Sequence, residues 1–134
     1  MKINFETAKQ LKASALIIYL KLCKADKELA LWSLRVSRAQ AYRAAKACEL
    51  FQVLNISDQT LVVLAEHPRD FELKNEILNI QNPMYIQLYL TVMGGVTNKQ
   101  DLLPHFSAST LSRAVSALAS QGLAHWDGNI VVLK

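Results

Sequence analysis

Four basic side chains stand close together in the first half of this chain: Arg35, Arg38, Arg43 and Lys46, with no acidic residue until Glu49. Positions 38, 42, 43 and 46 share one face of a helix, so Arg38, Tyr42, Arg43 and Lys46 form a single row. A row of cations suits a ligand with repeated negative charge, above all the phosphate backbone of a nucleic acid. Tyr42 within it is placed to touch a sugar or a base. A second cluster, later in the chain, is built of hydroxyls: Ser107, Ser109, Thr110, Ser112 and Ser116, with Arg113 as its one charge. Small hydroxyls let a helix approach phosphates closely and hydrogen-bond to them.

The other reactive side chains are not spaced for catalysis. Cys23 and Cys48 form no C-x-x-C pair. At an offset of 70 residues they fall on Met93 and Leu118, which marks them as core residues. His67, His105 and His125 share no metal-ligand spacing with cysteines or acids. There is no glycine-rich phosphate loop, no H-E-x-x-H and no serine elbow. No enzyme, cofactor or metal site is expected.

These side chains must be held by elements, and composition says which kind. Of 134 residues, 51% are hydrophobic, enough for a core, while Gly (4) and Pro (3) are scarce. A mainly α, α+β chain follows. The net charge is +4, and all of it lies in the first half: residues 1–66 hold ten basic against six acidic side chains, residues 67–134 five of each. The uncharged stretch 77–98 is interrupted by Asn79, Gln81, Asn82, Pro83 and Gln87, too polar for a membrane span. Met1-Lys2 is followed by no apolar signal region, and the cysteines suit a reducing compartment, so a cytoplasmic location is expected, on the nucleoid if DNA is bound.

Shifted by 70 residues, the chain aligns with itself. Tyr19-Leu20 falls on Tyr89-Leu90, Ser37 on Ser107, Arg43-Ala44 on Arg113-Ala114 and Ala47 on Ala117. The apolar pattern is kept better than the letters, which predicts two units of one design: 1–66, basic, and 83–134, joined by a linker at 67–82 with a helix over 71–80. In the first unit, helices are expected at 12–23, 28–34 and 37–50, the last opened by the capping-box spacing Ser37-x-x-Gln40. A hairpin follows around 57–59. In the second unit, Asn82-Pro83 starts a helix that Gly94-Gly95 ends. Thr97 caps a short helix through Leu103, and Ser107 or Ser109 caps a third helix running to Ser120. Gln121-Gly122 stops it, and Asp127-Gly128 turns a hairpin.

Helix, short helix, turn, capped helix and two-stranded hairpin is an order that resembles the winged helix-turn-helix domain of bacterial, plasmid and phage regulators. The run from Ser107 through Leu111, Leu118 and Gly122 to Leu123 is its closest match. The first half departs by having Phe51-Gln52 where Gly122 would be expected, so its turn from helix to hairpin must be made without glycine. The resemblance implies sequence-specific binding of double-stranded DNA, by a transcriptional regulator or a replication- or partition-site binder. The helices at 37–50 and 107–121 would enter the major groove. Arg38, nearest the helix start, would then reach base edges, with Arg43 and Lys46 on phosphates. The alternative is a tandem winged-helix adaptor for proteins with little DNA binding, and the uncharged second unit could face such a protein partner. A homodimer is expected by analogy with bacterial regulators, paired through Phe5, Leu11 and the face Leu73-Ile77-Ile80.

Overall fold

The computed structural model describes residues 1–134 and is an α+β fold in which helix predominates. It divides into two compact units, Met1–Asn75 and Glu76–Lys134. No helix is long and apolar enough to cross a membrane.

The first unit runs β1 (Lys2–Ile3), α1 (Phe5–Gln10), α2 (Ala13–Ala25), β2 (Leu29–Ala30), α3 (Leu31–Leu34), α4 (Arg38–Cys48), β3 (Phe51–Ile56), β4 (Gln59–Leu64) and β5 (Phe71–Glu72). Helix α2 is apolar on almost every side, and Leu16, Ile18, Tyr19, Leu20 and Leu22 are fully buried, so it is the central element. Helix α4 lies against it on Ala41 and Ala44, whose small side chains allow close approach. Strands β3 and β4 pair antiparallel around Ser57-Asp58, both of which have positive φ. Such a two-residue turn matches the right-handed twist of the strands. The sheet order is β2-β4-β3, so β3 is an outer strand.

Several expectations change here. The helix expected at 28–34 is split: Leu29-Ala30 extends to pair with Val62 and Leu61, filling the second edge of β4, and only Leu31–Leu34 coils. The helical linker at 67–82 is replaced by β5, which pairs with β1, and by a short 3-10 helix over Asn75–Asn79. The cause is local. Tyr19 donates its hydroxyl hydrogen to His67 Nε2 (2.7 Å) and accepts from the Asn4 amide (2.9 Å). His67 Nδ1–H in turn donates to the Ala65 carbonyl at 2.7 Å, which fixes the tautomer. Phe71 then packs on Phe5 with ring centroids 4.8 Å apart. The chain is thereby drawn back onto the first unit, which extends to residue 75 instead of 66. Of the residues expected to pair two copies, Leu11, Leu73 and Ile77 are buried within the chain's own fold, while Phe5 and Ile80 are half-buried.

The second unit runs α5 (Pro83–Met93), α6 (Lys99–Leu102), α7 (Ala108–Ser120), β6 (Ala124–Asp127) and β7 (Ile130–Leu133). Asn82 caps α5 by accepting from the Met84 amide, with Pro83 at the first helical position. The cap of α6 is Asn98, one residue beyond Thr97; its backbone also bridges to Ile130, so it is fixed from two sides. Ser107 caps α7, and Gly122 (φ +69°) makes the turn into β6. Helices α4 and α7 start 70 residues apart.

Candidate nucleic-acid interface

Helix α4 begins with both halves of a capping box. Ser37 Oγ accepts from the Gln40 amide (3.1 Å), and Gln40 Oε1 accepts from the Ser37 amide (2.9 Å). These bonds satisfy amides that the first turn leaves without partners and set the direction in which the helix leaves the turn. The turn itself is made by Arg35 in the left-handed region (φ +56°), while Lys21 donates to the Leu34 carbonyl at the end of α3. Arg35, Ser37, Arg38, Tyr42, Arg43 and Lys46 are all exposed, and the structure brings the last four onto one face of α4, away from buried Ala41 and Ala44.

No carboxylate lies within ion-pairing distance of Arg35, Arg38, Arg43 or Lys46; the ion pairs of the chain lie elsewhere. Their charge is therefore not neutralised within the protein. Arg38 instead turns to the hairpin: its Nη2 donates to Asn55 Oδ1 (2.6 Å) and Thr60 Oγ1 (2.9 Å). Thr60 donates to Asn55 Oδ1 (2.9 Å), and Asn55 Nδ2 donates to the Tyr42 hydroxyl (3.0 Å). Arg43 lies back along its own helix, with Nε directed at the Ala39 carbonyl at 3.4 Å. Lys46 borders an open groove of about 450 Å³ between α4 and β3, with Tyr42, Glu49 and Phe51 among its walls. The tip of the hairpin carries the exposed anion Asp58, whereas the exposed face of α4 and the Arg35 turn carry cations.

In the second unit the hydroxyl cluster divides. Ser107 Oγ accepts from the Thr110 amide (3.2 Å) and donates to Thr110 Oγ1 (2.8 Å), so this pair is engaged in the cap, with Thr110 half-buried. Ser109, Ser112, Arg113 and Ser116 are exposed on one face, opposite buried Leu111, Ala114, Val115 and Leu118. Trp126 is half-buried in β6. Cys23 is buried and Cys48 half-buried, and burial pushes both thiols up from their ordinary value. No His, Cys, Asp and Glu side chains gather into a group that could hold a metal ion.

Two residues of the site escape a reading of the sequence, Asn55 and Thr60. They are directly paired across the hairpin, on the same strand face as Val53 and Val62. A polar pair continuing an inward apolar alternation was the available signal, since it marks where that strand face leaves the core and can meet a polar side chain. Trp32 on α3, 82% exposed, is the other surface residue that pattern alone does not single out. Compared with known families, curated proteins and solved structures, the chain matches none of them.

Proposed function

We propose that this chain is a sequence-specific double-stranded DNA-binding protein built of two winged helix-turn-helix units, with α4 as the main DNA-contacting helix and α7 as an auxiliary one. The observation that carries this reading is the exposed row Arg38, Tyr42, Arg43 and Lys46, with Arg35 beside it, on a capped helix with no carboxylate to neutralise it. Uncompensated surface cations gain most from a polyanion, because binding releases the counterions condensed on it. In this reading α3 and α4 form the helix-turn-helix and β3–β4 is the wing, a strand order that places the hairpin beside the groove-entering helix. A role as transcriptional regulator or as binder of a replication or partition site fits equally.

The second unit supports a lesser share. The positions that correspond to Tyr42 and Lys46 are Ser112 and Ser116, so Arg113 is the single cation of its exposed face. Mobility shift with mixed-sequence duplex DNA at rising salt tests the reading. The expected result is a complex at low salt that dissociates steeply as salt rises. Absence of any complex at low ionic strength would overturn it in favour of a protein-binding adaptor. Selection of binding sites from random duplexes then reads the sequence preference.

A further inference from the structure

The tetrad that joins α4 to the hairpin determines what Arg38 can offer a ligand. A guanidinium grips a base edge, or any planar pair of acceptors, through two parallel N–H groups, and either of its forks uses Nη2. In this chain Nη2 is the nitrogen held by Asn55 Oδ1 and Thr60 Oγ1. Nε and Nη1 remain, and they do not lie on a common fork. The acceptors are neutral, so the positive charge is kept. An arginine held merely to fasten a hairpin is served better by a carboxylate, which also relieves the cost of its charge. The geometry of Tyr42 agrees: its oxygen accepts from Asn55 Nδ2, which leaves the phenolic hydrogen free as a second donor one helical turn from Arg38.

Arg43 is arranged the other way. Its Nε points at the Ala39 carbonyl of its own helix, and the Nη1–Nη2 fork is left open. Resting on the DNA-binding reading above, we propose that Asn55 and Thr60 are positioning residues that hold Arg38 as a single-point contact to a phosphodiester oxygen, leaving Arg43 as the arginine of α4 that presents a fork to a base edge. This is the reverse of the division that distance from the helix start suggests. It makes the wing a device for orienting the helix's own arginine, a role that suits a hairpin whose tip is acidic.

Lysine separates the two roles, since an ammonium serves as a point contact to phosphate but cannot reproduce a fork. The full-length chain and its R38K, R38A, R43K, N55A and N55D variants are titrated with a preferred duplex, its single-base variants and mixed DNA, at several salt concentrations. R38K is expected to bind all duplexes within about threefold of wild type with an unchanged salt slope, while R38A weakens all of them roughly tenfold and lowers the slope by about one unit. R43K is expected to relax the choice of base at one position. N55D is expected to lower the slope as R38A does, although Arg38 is still present, because the new carboxylate neutralises the guanidinium; N55A weakens binding uniformly with the slope kept. Thermal melting confirms that each variant is folded.

Loss of discrimination at one base with R38K, or its retention in R43K, would overturn the assignment. So would N55A and N55D proteins that melt at a changed temperature but bind as wild type, which is the outcome for a hairpin fastening alone. A wild type that binds no duplex defeats the DNA-binding reading itself, and is told apart because it fails before any variant is compared.

Discussion

Lys46 and Cys23 stand at opposite extremes of solvation, and each has a measurable consequence. Lys46 is exposed, and no carboxylate lies within ion-pairing distance of it. On the proposed DNA-binding reading, its replacement by alanine should weaken binding to every duplex alike and flatten the log–log salt dependence by about one unit, read from titrations at four or five salt concentrations. Cys23 is 4% exposed, and burial pushes its thiol up; Tyr19 beside it is pushed up for the same reason. Both groups hold their protons more firmly in the folded chain than in the unfolded one. Stability is therefore flat through neutral pH and falls as pH rises past the ordinary thiol and phenol values, where the unfolded chain ionises first. Urea unfolding between pH 7 and pH 10.5 should show the midpoint falling only at the alkaline end. A midpoint that rises there would contradict the burial. Spacing alone was enough to find the α4 row, because helical periodicity is local. Asn55 and Thr60 were hidden because their partner, Arg38, lies 17 and 22 residues earlier in the chain.

At the scale of elements, the best-read features are those whose cause lies within one turn of chain. The capping box at Ser37, the proline start at Pro83 and the glycine stop at Gly122 all appear where residue type requires them. The glycine-free end of α4 is the informative variant: Glu49 takes the left-handed conformation (φ +56°) that a glycine would adopt freely, with its amide on the Ala45 carbonyl. Glu49→Gly should therefore stabilise the chain by about 1 kcal/mol, the ordinary cost of a side chain in that region. An unchanged or lowered melting temperature would mean that the glutamate makes up for its strain elsewhere. The elements left unread are the six-residue helix α1 and the strands β1, β2 and β5, each of two residues. Two residues carry no period, and each strand exists only because a partner far along the chain leaves an edge to be filled. The helix expected over 71–80 failed for that reason: Leu73 and Ile77 are indeed apolar and buried, but Leu73 follows the strand Phe71–Glu72 directly and Ile77 sits in a 3-10 helix.

For the whole molecule, the unequal division of charge between the two compact units predicts an unequal division of labour on the proposed reading. With the boundary observed at residue 75, the first unit keeps the whole net charge of +4, and the second has three basic and three acidic side chains. Arg113→Ala should therefore cost less affinity than Arg43→Ala at the matching position, measured on the same duplex. The reverse ranking would assign the main contact to the second unit. The open side of the first unit's sheet has a different bearing. Strand β3 ends that sheet with six residues, Phe-Gln-Val-Leu-Asn-Ile, that include no charge and no proline; Leu54 is 37% and Ile56 52% exposed. Most natural sheets guard such a margin with a lysine, a proline or a bulge, because an unguarded one is a template for the next chain. Concentrated or partly melted protein should accordingly assemble into β-rich fibrils growing from this strand, and Leu54→Lys should raise the concentration at which turbidity and thioflavin fluorescence appear, while a lysine at exposed Leu103 should not.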